Sequence, residues 1–254
     1  MISKNQVKHI QQLHSKKYRE EHALFIIEGI KIVTEFLNSD RYKISEILAL
    51  PEFIGVNKNL IIEKNILYTE INEEELKKIS TQQSPNQVLA IVQSPIQSVN
   101  HFDSEKELCL FLDDIRDPGN LGTIIRIADW FGIKHVFCSP HCTELYNPKT
   151  LQATMGAILR IQVTYTTFDD LYAVNTHTPI YVAILTGENI YTEKLTKGII
   201  VIGNEANGIS DAVLEHITNP ITISSATING SESLNAANAC AIICSEFHRQ
   251  LNYN

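Results

Sequence analysis

The chain has 254 residues, of which 44% are hydrophobic and 20% are charged, and its formal net charge is −8. This is enough apolar material for one large domain or two smaller ones. No apolar run reaches the length of a membrane span, and the polar N-terminus has no signal-peptide core, so we expect a soluble cytoplasmic protein. The acidic balance alone argues mildly against a nucleic-acid partner.

Residues 1–93 predict a small α/β domain, because short apolar strands alternate with helical segments. The first segment is a basic amphipathic helix with Val7, Ile10 and Leu13 at helical spacing. The elements expected after it are a strand at 23–29, a helix at 31–38, a strand at 45–50, a helix at 73–80 and a strand at 87–93.

Five basic residues lie in the first nineteen positions, with no acidic residue among them. They are Lys4, Lys8, Lys16, Lys17 and Arg19. A local basic stripe can bind phosphates even on an acidic protein. The alternative is an ordinary solvated helix face.

The polar stretch 94–107 predicts a linker, and 108–254 a second α/β domain. This domain opens at 108–115 with a continuous apolar strand followed by two aspartates, and such a strand is typical of a parallel sheet buried on both faces. The later strands are expected at 135–138, 179–185, 198–203 and 221–224, and the helices at 121–131, 148–159, 211–217 and 233–250. The alternation predicts an open parallel sheet with helices on both faces.

Three motifs stand out in this second block. The first is N-x-G-x-x-x-R at Asn120, Gly122 and Arg126, the second is G-N-E-x-x-G at 203–208, and the third is E-S-L-N at 232–235. In this order and spacing they resemble the signature motifs of the SpoU (TrmH-type) RNA ribose methyltransferases of the SPOUT superfamily. The second motif has the spacing of a phosphate-binding P-loop, but Ile209 stands where that loop requires lysine.

The resemblance implies a C-terminal trefoil knot, a homodimer and methyl transfer from S-adenosylmethionine to an RNA 2′-hydroxyl, with no metal. The catalytic residues it implies are Arg126, Asn120, Ser233 and Asn235. The cofactor-binding residues it implies are Leu185, Thr186, Gly187, Gly203, Asn204, Glu205, Ile223 and Leu234. A guanidinium, with a pKa above about 12, is a poor general base, so a bidentate grip on an RNA phosphate is the physically cheaper role for Arg126.

The first block also resembles a known domain. Ser3, Asn5, Val7 and Lys8, then the F-x-x-E-G of 25–29 and the segment 81–92, are similar to the RNA-binding domain often fused ahead of SpoU catalytic domains. Its presence implies an RNA substrate-binding role for 1–93 and favours ribosomal over transfer RNA. The second block departs from the usual family pattern at Ser224, where proline is common, and at Gln152, where arginine is common.

Simpler interpretations exist for each motif residue. Asn120 fits the N-cap of the helix that follows it, and Arg126 fits a surface ion pair with Asp129 or Asp117. Glu205 fits a solvated turn, and Ser231 or Ser233 fits the cap of the last helix. At the level of the whole protein, the alternatives are a tRNA ribose methyltransferase, a non-catalytic RNA-binding or assembly factor and a small-molecule enzyme.

The five cysteines include two pairs at four-residue spacing, Cys138 with Cys142 and Cys240 with Cys244. Their flanks are apolar and no C-x-x-C pair occurs. We therefore expect buried reduced thiols rather than a zinc site.

Overall fold

The structure is a computed structural model that describes residues 2–95, 103, 106–226 and 233–253. The helices of these ranges are α1 (Lys4–Gln12), α2 (Lys16–His22), α3 (Ile30–Leu37), α4 (Pro51–Glu63), α5 (Glu73–Ile79), α6 (Pro118–Trp130), α7 (Pro148–Thr154), α8 (Phe168–Ala173), α9 (Asp211–Leu214) and α10 (Ala236–Tyr253). The strands are β1 (Leu24–Glu28), β2 (Ile44–Ala49), β3 (Leu67–Glu70), β4 (Val88–Gln93), β5 (Cys109–Leu112), β6 (His135–Cys138), β7 (Gln162–Tyr165), β8 (Ile180–Asn189), β9 (Ile199–Ile202) and β10 (Asn219–Thr222).

By its internal contacts the chain divides into two compact units. The first unit consists of Met1–Ile96 and Glu144–Leu159, and the second of Gln97–Thr143 and Arg160–Asn254. The segment 144–159 thus packs with the first unit, although the sequence placed it inside a domain of 108–254. One reason is aromatic packing, because the ring of Tyr146 stacks on that of Phe25 with centroids 4.3 Å apart. Most of the predicted linker 94–107 lies outside the described residues.

The first unit contains a four-stranded mixed sheet in the order β1-β4-β2-β3. β4 is antiparallel to both neighbours, and β3 is parallel to β2. A capping box between Ser3 and Gln6 starts α1, whose apolar face contributes Ile10 and Leu13 to a buried cluster with Leu76 of α5. The amphipathic spacing seen in the sequence is thus explained by burial against the sheet and α5.

The second unit contains a six-stranded sheet, all of whose paired strands are parallel, in the order β10-β8-β9-β5-β6-β7. One face packs on α8 and α9 through Phe168, Leu171 and Val213. Strand side chains alternate between faces, and Tyr181 on the other face packs edge-on against Phe247 of α10. The predicted parallel sheet is therefore confirmed, with helices on both of its faces.

Among the expected elements, one helix and one strand differ most from the structure. The helix expected at 148–159 ends at Thr154, because Met155 and Gly156 adopt left-handed backbone angles (φ 49° and 86°) before a short 3-10 helix, Ala157–Leu159. The positive φ of Gly156 is a backbone conformation that favours glycine, and a Cβ at this position would also displace the carboxylate of Glu35. The strand expected at 179–185 continues to Asn189.

All five cysteines are free and buried. The Sγ atoms of Cys240 and Cys244 lie 3.8 Å apart, and the pKa of the Cys240 thiol is raised by this contact and by burial. Among the residues that the structure describes, no group of three or more histidine, cysteine or acidic side chains could hold a metal ion. In the same part of the chain, no helix is both long and apolar enough to cross a membrane.

Candidate active site

A hydrogen-bonded network in the second unit joins one residue from each of the three motifs. The Asn120 side-chain amide donates to Glu205 Oε1, and Asn235 Nδ2 donates to Asn120 Oδ1 at 2.9 Å. Glu205 Oε1 also accepts the backbone N–H of Ala236 at 3.2 Å. The network therefore links the start of α6, the turn after β9 and the start of α10 in one place. Glu205 is not merely a solvated turn residue.

The caps of the two helices differ from the expectations. Asp117 is the N-cap of α6, because its carboxylate accepts the backbone N–H of Asn120 at 2.8 Å. This leaves the Asn120 side chain to the network. At α10, Asn235 Oδ1 accepts the N–H groups of Ala237 (3.0 Å) and Asn238 (3.2 Å), so Asn235 takes the capping role that was expected of a serine. Of the two serines, Ser233 is exposed and Ser231 lies outside the described residues.

The structure does not bring Arg126 into this network. Six residues on an α-helix rotate a side chain by about 240°, so Asn120 and Arg126 lie on different faces of α6. Neither expected ion pair forms, because Asp129 binds Arg160 (2.7 Å) and Asp117 caps the helix. Arg126 is exposed, and within the described residues its guanidinium has no hydrogen-bond or ion-pair partner. It is therefore available to a ligand or to another chain.

The glycine turn of the second motif is closed by its own backbone. Asn204 and Gly208 exchange two backbone hydrogen bonds of 3.0 and 2.9 Å, and Asn204 Oδ1 accepts the N–H groups of Ala206 and Asn207. Gly208 has φ +69°, and a Cβ on Gly203 would lie 2.5 Å from the Gly208 carbonyl oxygen. The two glycines are thus required by the shape of the turn.

Two aspartates that follow β5 hold this turn against the sheet, and they were not among the predicted site residues. Asn204 Nδ2 donates to the Asp114 carbonyl at 2.8 Å, and the buried Asp113 carboxylate accepts the Ser210 N–H at 2.7 Å. The Asp114 carboxylate binds Arg116 and raises the pKa of that guanidinium. The sequence signal was the pair of acidic residues directly after an apolar strand, at the edge where ligands bind in such sheets.

The expected cofactor residues on β8 lie in an interruption of the sheet. Pairing with β10 jumps from Val182 to Glu188, so residues 183–187 have no register partner on β10. Leu185 is 74% exposed, and a Cβ on Gly187 would lie 2.5 Å from the backbone of Ile221. We had expected these residues at the end of the strand. They instead form an irregular segment within it.

The other expected cofactor residues lie on the segments that follow β10 and precede α10. Ile223 comes directly after β10 and is half-buried. Leu234 is 47% exposed, next to the network residue Asn235. Exposed apolar side chains, and strand backbone outside the β10 ladder, thus lie in the same unit as the network.

The basic residues of the first unit fall into two classes. Lys4, Lys8, Lys16 and Lys17 are exposed on α1 and α2. Arg19 is only 4% exposed, because its guanidinium binds Glu144 through two bonds of 2.9 and 2.5 Å and the Leu13 carbonyl through a third. Three of the five guanidinium N–H donors are therefore used inside the unit, and an RNA contact of Arg19 stays a prediction.

Comparison with known proteins identifies the family. The SpoU rRNA Methylase family model matches residues 107–245, more than half of the chain. This chain belongs to the SpoU rRNA methylase family. The MRM3-like substrate binding domain model matches residues 4–90 ahead of it. The family resemblance drawn from the three motifs is thus confirmed.

Individual SpoU relatives match over nearly the full length. The 23S rRNA (guanosine(2553)-2′-O)-methyltransferase RlmP of Bacillus subtilis is 30% identical over 95% of both chains. A Porphyromonas gingivalis protein assigned to the TrmH family of RNA methyltransferases has a TM-score of 0.84 and 35% identity, covering 98% of this chain and 99% of its own. The AdoMet-bound rRNA methyltransferase of Sinorhizobium meliloti has a TM-score of 0.88 and 26% identity, covering 100% and 97%.

Proposed function

We propose that this chain transfers a methyl group from S-adenosylmethionine to a ribose 2′-hydroxyl of ribosomal RNA. The observation that carries the proposal is the network of Asn120, Glu205 and Asn235, which unites the three SpoU motifs in one site. Ribosomal RNA is favoured over transfer RNA because the full-length relative RlmP is named for 23S rRNA. A non-catalytic assembly factor would need neither the network nor the exposed Arg126.

The residues present fit S-adenosylmethionine. Residues 183–187 offer backbone polar groups that the β10 ladder does not use, and Leu185 and Leu234 offer exposed apolar surface for an adenosine. The turn at 203–208 is neutral except for Glu205, whose carboxylate is already hydrogen-bonded. We assign cofactor binding to Leu185, Thr186, Gly187, Gly203, Asn204, Glu205, Ile223 and Leu234.

The chain's own residues then have to orient the RNA, since the bound cofactor supplies an activated methyl group on a sulfonium. Arg126 holds an RNA phosphate through its two-pronged guanidinium and so fixes the ribose hydroxyl. Asn120 and Asn235 set the position of the α10 start relative to the glycine turn. Ser233 is exposed and lies two residues before Asn235 in the sequence. We place Ser233 at the reaction centre beside them.

We propose that 1–93 binds the RNA substrate, that 94–107 links the two functional parts, and that 108–254 carries the methyltransferase. The four exposed lysines of α1 and α2 support RNA binding by the first part, because their charges are available to phosphates. The match of residues 4–90 to a substrate binding domain supports the same division.

We further propose a homodimer, a trefoil knot in the methyltransferase part and a cytoplasmic location. Trp130 is 84% exposed and lies one helical turn after Arg126 on α6, which supports burial of this face by a second copy. The knot is proposed from SpoU membership alone. Five free thiols support a reducing compartment. Light scattering with Trp130→Glu tests the dimer, since a charge on that face should yield monomers.

Calorimetry and methyl transfer test the function. The purified chain should bind S-adenosylmethionine with micromolar-range affinity in the presence of a metal chelator, and should transfer its labelled methyl group to ribosomal RNA. Nuclease digestion should recover the label as 2′-O-methylnucleoside. Label recovered on a base would contradict the ribose chemistry, and absence of cofactor binding would favour the assembly factor.

A further inference from the structure

A groove in the first unit contains none of the predicted site residues. Its volume is about 610 Å³, within the range of roughly 300–1,000 Å³ that is usual for ligand pockets. The end of β1, the loop of residues 81–84 and the segment 147–152 line it, together with His14 and Ile32. Its accessible apolar surface comes from the half-buried Ile32 and Pro148, because Ile26, Ile27 and Leu151 are each at most 2% exposed. The groove thus has an apolar lining from α3 and the start of α7.

One wall of the groove is fixed by Glu28 at the end of β1. Its carboxylate accepts the hydroxyls of Ser80 and Thr81 and the Thr81 N–H (3.1 Å). Gln82 Nε2 donates to the Glu28 carbonyl at 3.4 Å. The loop is therefore tied to the strand, and the negative charge of Glu28 is already satisfied. A polar ligand does not meet an unpaired carboxylate there.

The rim of the groove carries side chains with unused hydrogen-bonding groups. Gln83, Lys149 and Gln152 line it and are exposed, and among the described residues none of these side chains has a hydrogen-bond or ion-pair partner. A glutamine amide offers one acceptor and two donors, the pattern that pairs with base edges. A lone lysine beside them suits a single backbone phosphate.

We propose that this groove receives one unstacked nucleobase of the RNA substrate, an inference that rests on the proposed function. Ile32 and Pro148 cover the face of the base, while Gln83 and Gln152 bind its edge and Lys149 binds the adjoining phosphate. Sequence-specific RNA recognition commonly uses bases that are splayed out of a helix, because only these expose their edges. One cation is too few for a free nucleotide polyphosphate.

The test compares three fluorescein-labelled single strands, rA12, rC12 and rU12, bound to the full chain at several salt concentrations. We expect the wild type to rank them with a spread between about 5- and 150-fold, the range of one bidentate base-edge contact worth about 1–3 kcal/mol. Gln83→Ala with Gln152→Ala should reduce the spread to within about twofold and leave the salt slope unchanged. Lys149→Gln should keep the ranking and reduce the slope by about 0.7.

Gln93→Ala and Lys58→Gln serve as matched controls, because both residues are exposed and neither lines the groove. Equal binding of the three strands by the wild type, or an unchanged spread in the double variant, would overturn the groove proposal. If ribosomal RNA is nevertheless methylated, the proposed function survives that failure. A chain that binds no strand and methylates no RNA would overturn both.

Discussion

The ion pair of Arg19 and Glu144 gives the most quantitative prediction. Arg19→Met removes three hydrogen bonds and leaves the Glu144 carboxylate, whose side chain is only 15% exposed, without its cation. Removing one partner of a buried pair costs about 3–5 kcal/mol. Because Glu144 keeps some access to water, we expect about 2–4 kcal/mol of local stability to be lost.

Amide hydrogen exchange followed by mass spectrometry can measure this loss in the first unit alone. A loss of 2–4 kcal/mol corresponds to exchange about 30- to 900-fold faster in peptides of β1 and β4. Peptides of β5 and β9, in the other unit, provide an internal reference. Because the chain has two compact units, hydrogen exchange can report the stability of the first unit by itself. A single melting temperature would combine the unfolding of both units.

Lys16→Met is the matched control. Lys16 also pairs with a glutamate, but at 3.6 Å and with both side chains over 60% exposed, so we expect at most about 0.5 kcal/mol. A double replacement, Arg19→Met with Glu144→Met, should recover most of the lost protection because no charge is left stranded. If the Arg19 and Lys16 variants changed the exchange rates equally, the reasoning would be refuted. If the double variant did not recover protection, the lost stability would come from side-chain packing and not from the stranded charge.

Three further predictions concern RNA and catalysis. Replacing Lys4, Lys8, Lys16 and Lys17 together by Gln should weaken RNA binding and reduce the slope of log affinity against log salt by up to about 0.9 per lost phosphate contact. Calorimetry should show an unchanged S-adenosylmethionine affinity. An unchanged salt slope would mean that these lysines form only a solvated helix face. Asn235→Asp should keep the α10 cap but lose the hydrogen-bond donor to Asn120, so its single-turnover methylation rate should fall while its stability stays near that of the wild type. Asn235→Ala should in addition lose about 1–2 kcal/mol of folding stability. An Asp variant with full activity would show that the network is not needed for catalysis. Arg126→Ala should abolish methyl transfer while the fold and the cofactor affinity stay intact. Arg126→Lys should also be severely impaired, because the point charge of an ammonium group cannot replace the planar, bidentate guanidinium. A lysine variant with a rate near that of the wild type would exclude the bidentate role.

The sequence predicted those features that depend on short-range patterns. The apolar run of 108–112 could only be a buried strand, and the three motifs lay on or beside such strands. The N-cap of α6 was assigned to Asn120, which was wrong, although Pro118 favours the first helical position and so makes Asp117 the cap.

Features that depend on distant partners were not accessible. Nothing near Arg19 indicates that it is buried, since its partner Glu144 lies 125 residues away. The interruption of β8 at 183–187 is visible only once β10 is placed beside it. In the same way, residues 144–159 join the first unit through contacts such as that of Tyr146 with Phe25.

The central claim is ribose methylation of ribosomal RNA, and mapping 2′-O-methylation in a deletion strain tests it most directly. Ribosomal and transfer RNA should be mapped in the deletion strain and after complementation with the wild-type gene or with Arg126→Ala. We predict that one ribosomal 2′-O-methyl group is lost on deletion, returns with the wild type and stays absent with the variant. Unchanged ribosomal methylation after deletion, or a loss confined to transfer RNA, would contradict the account.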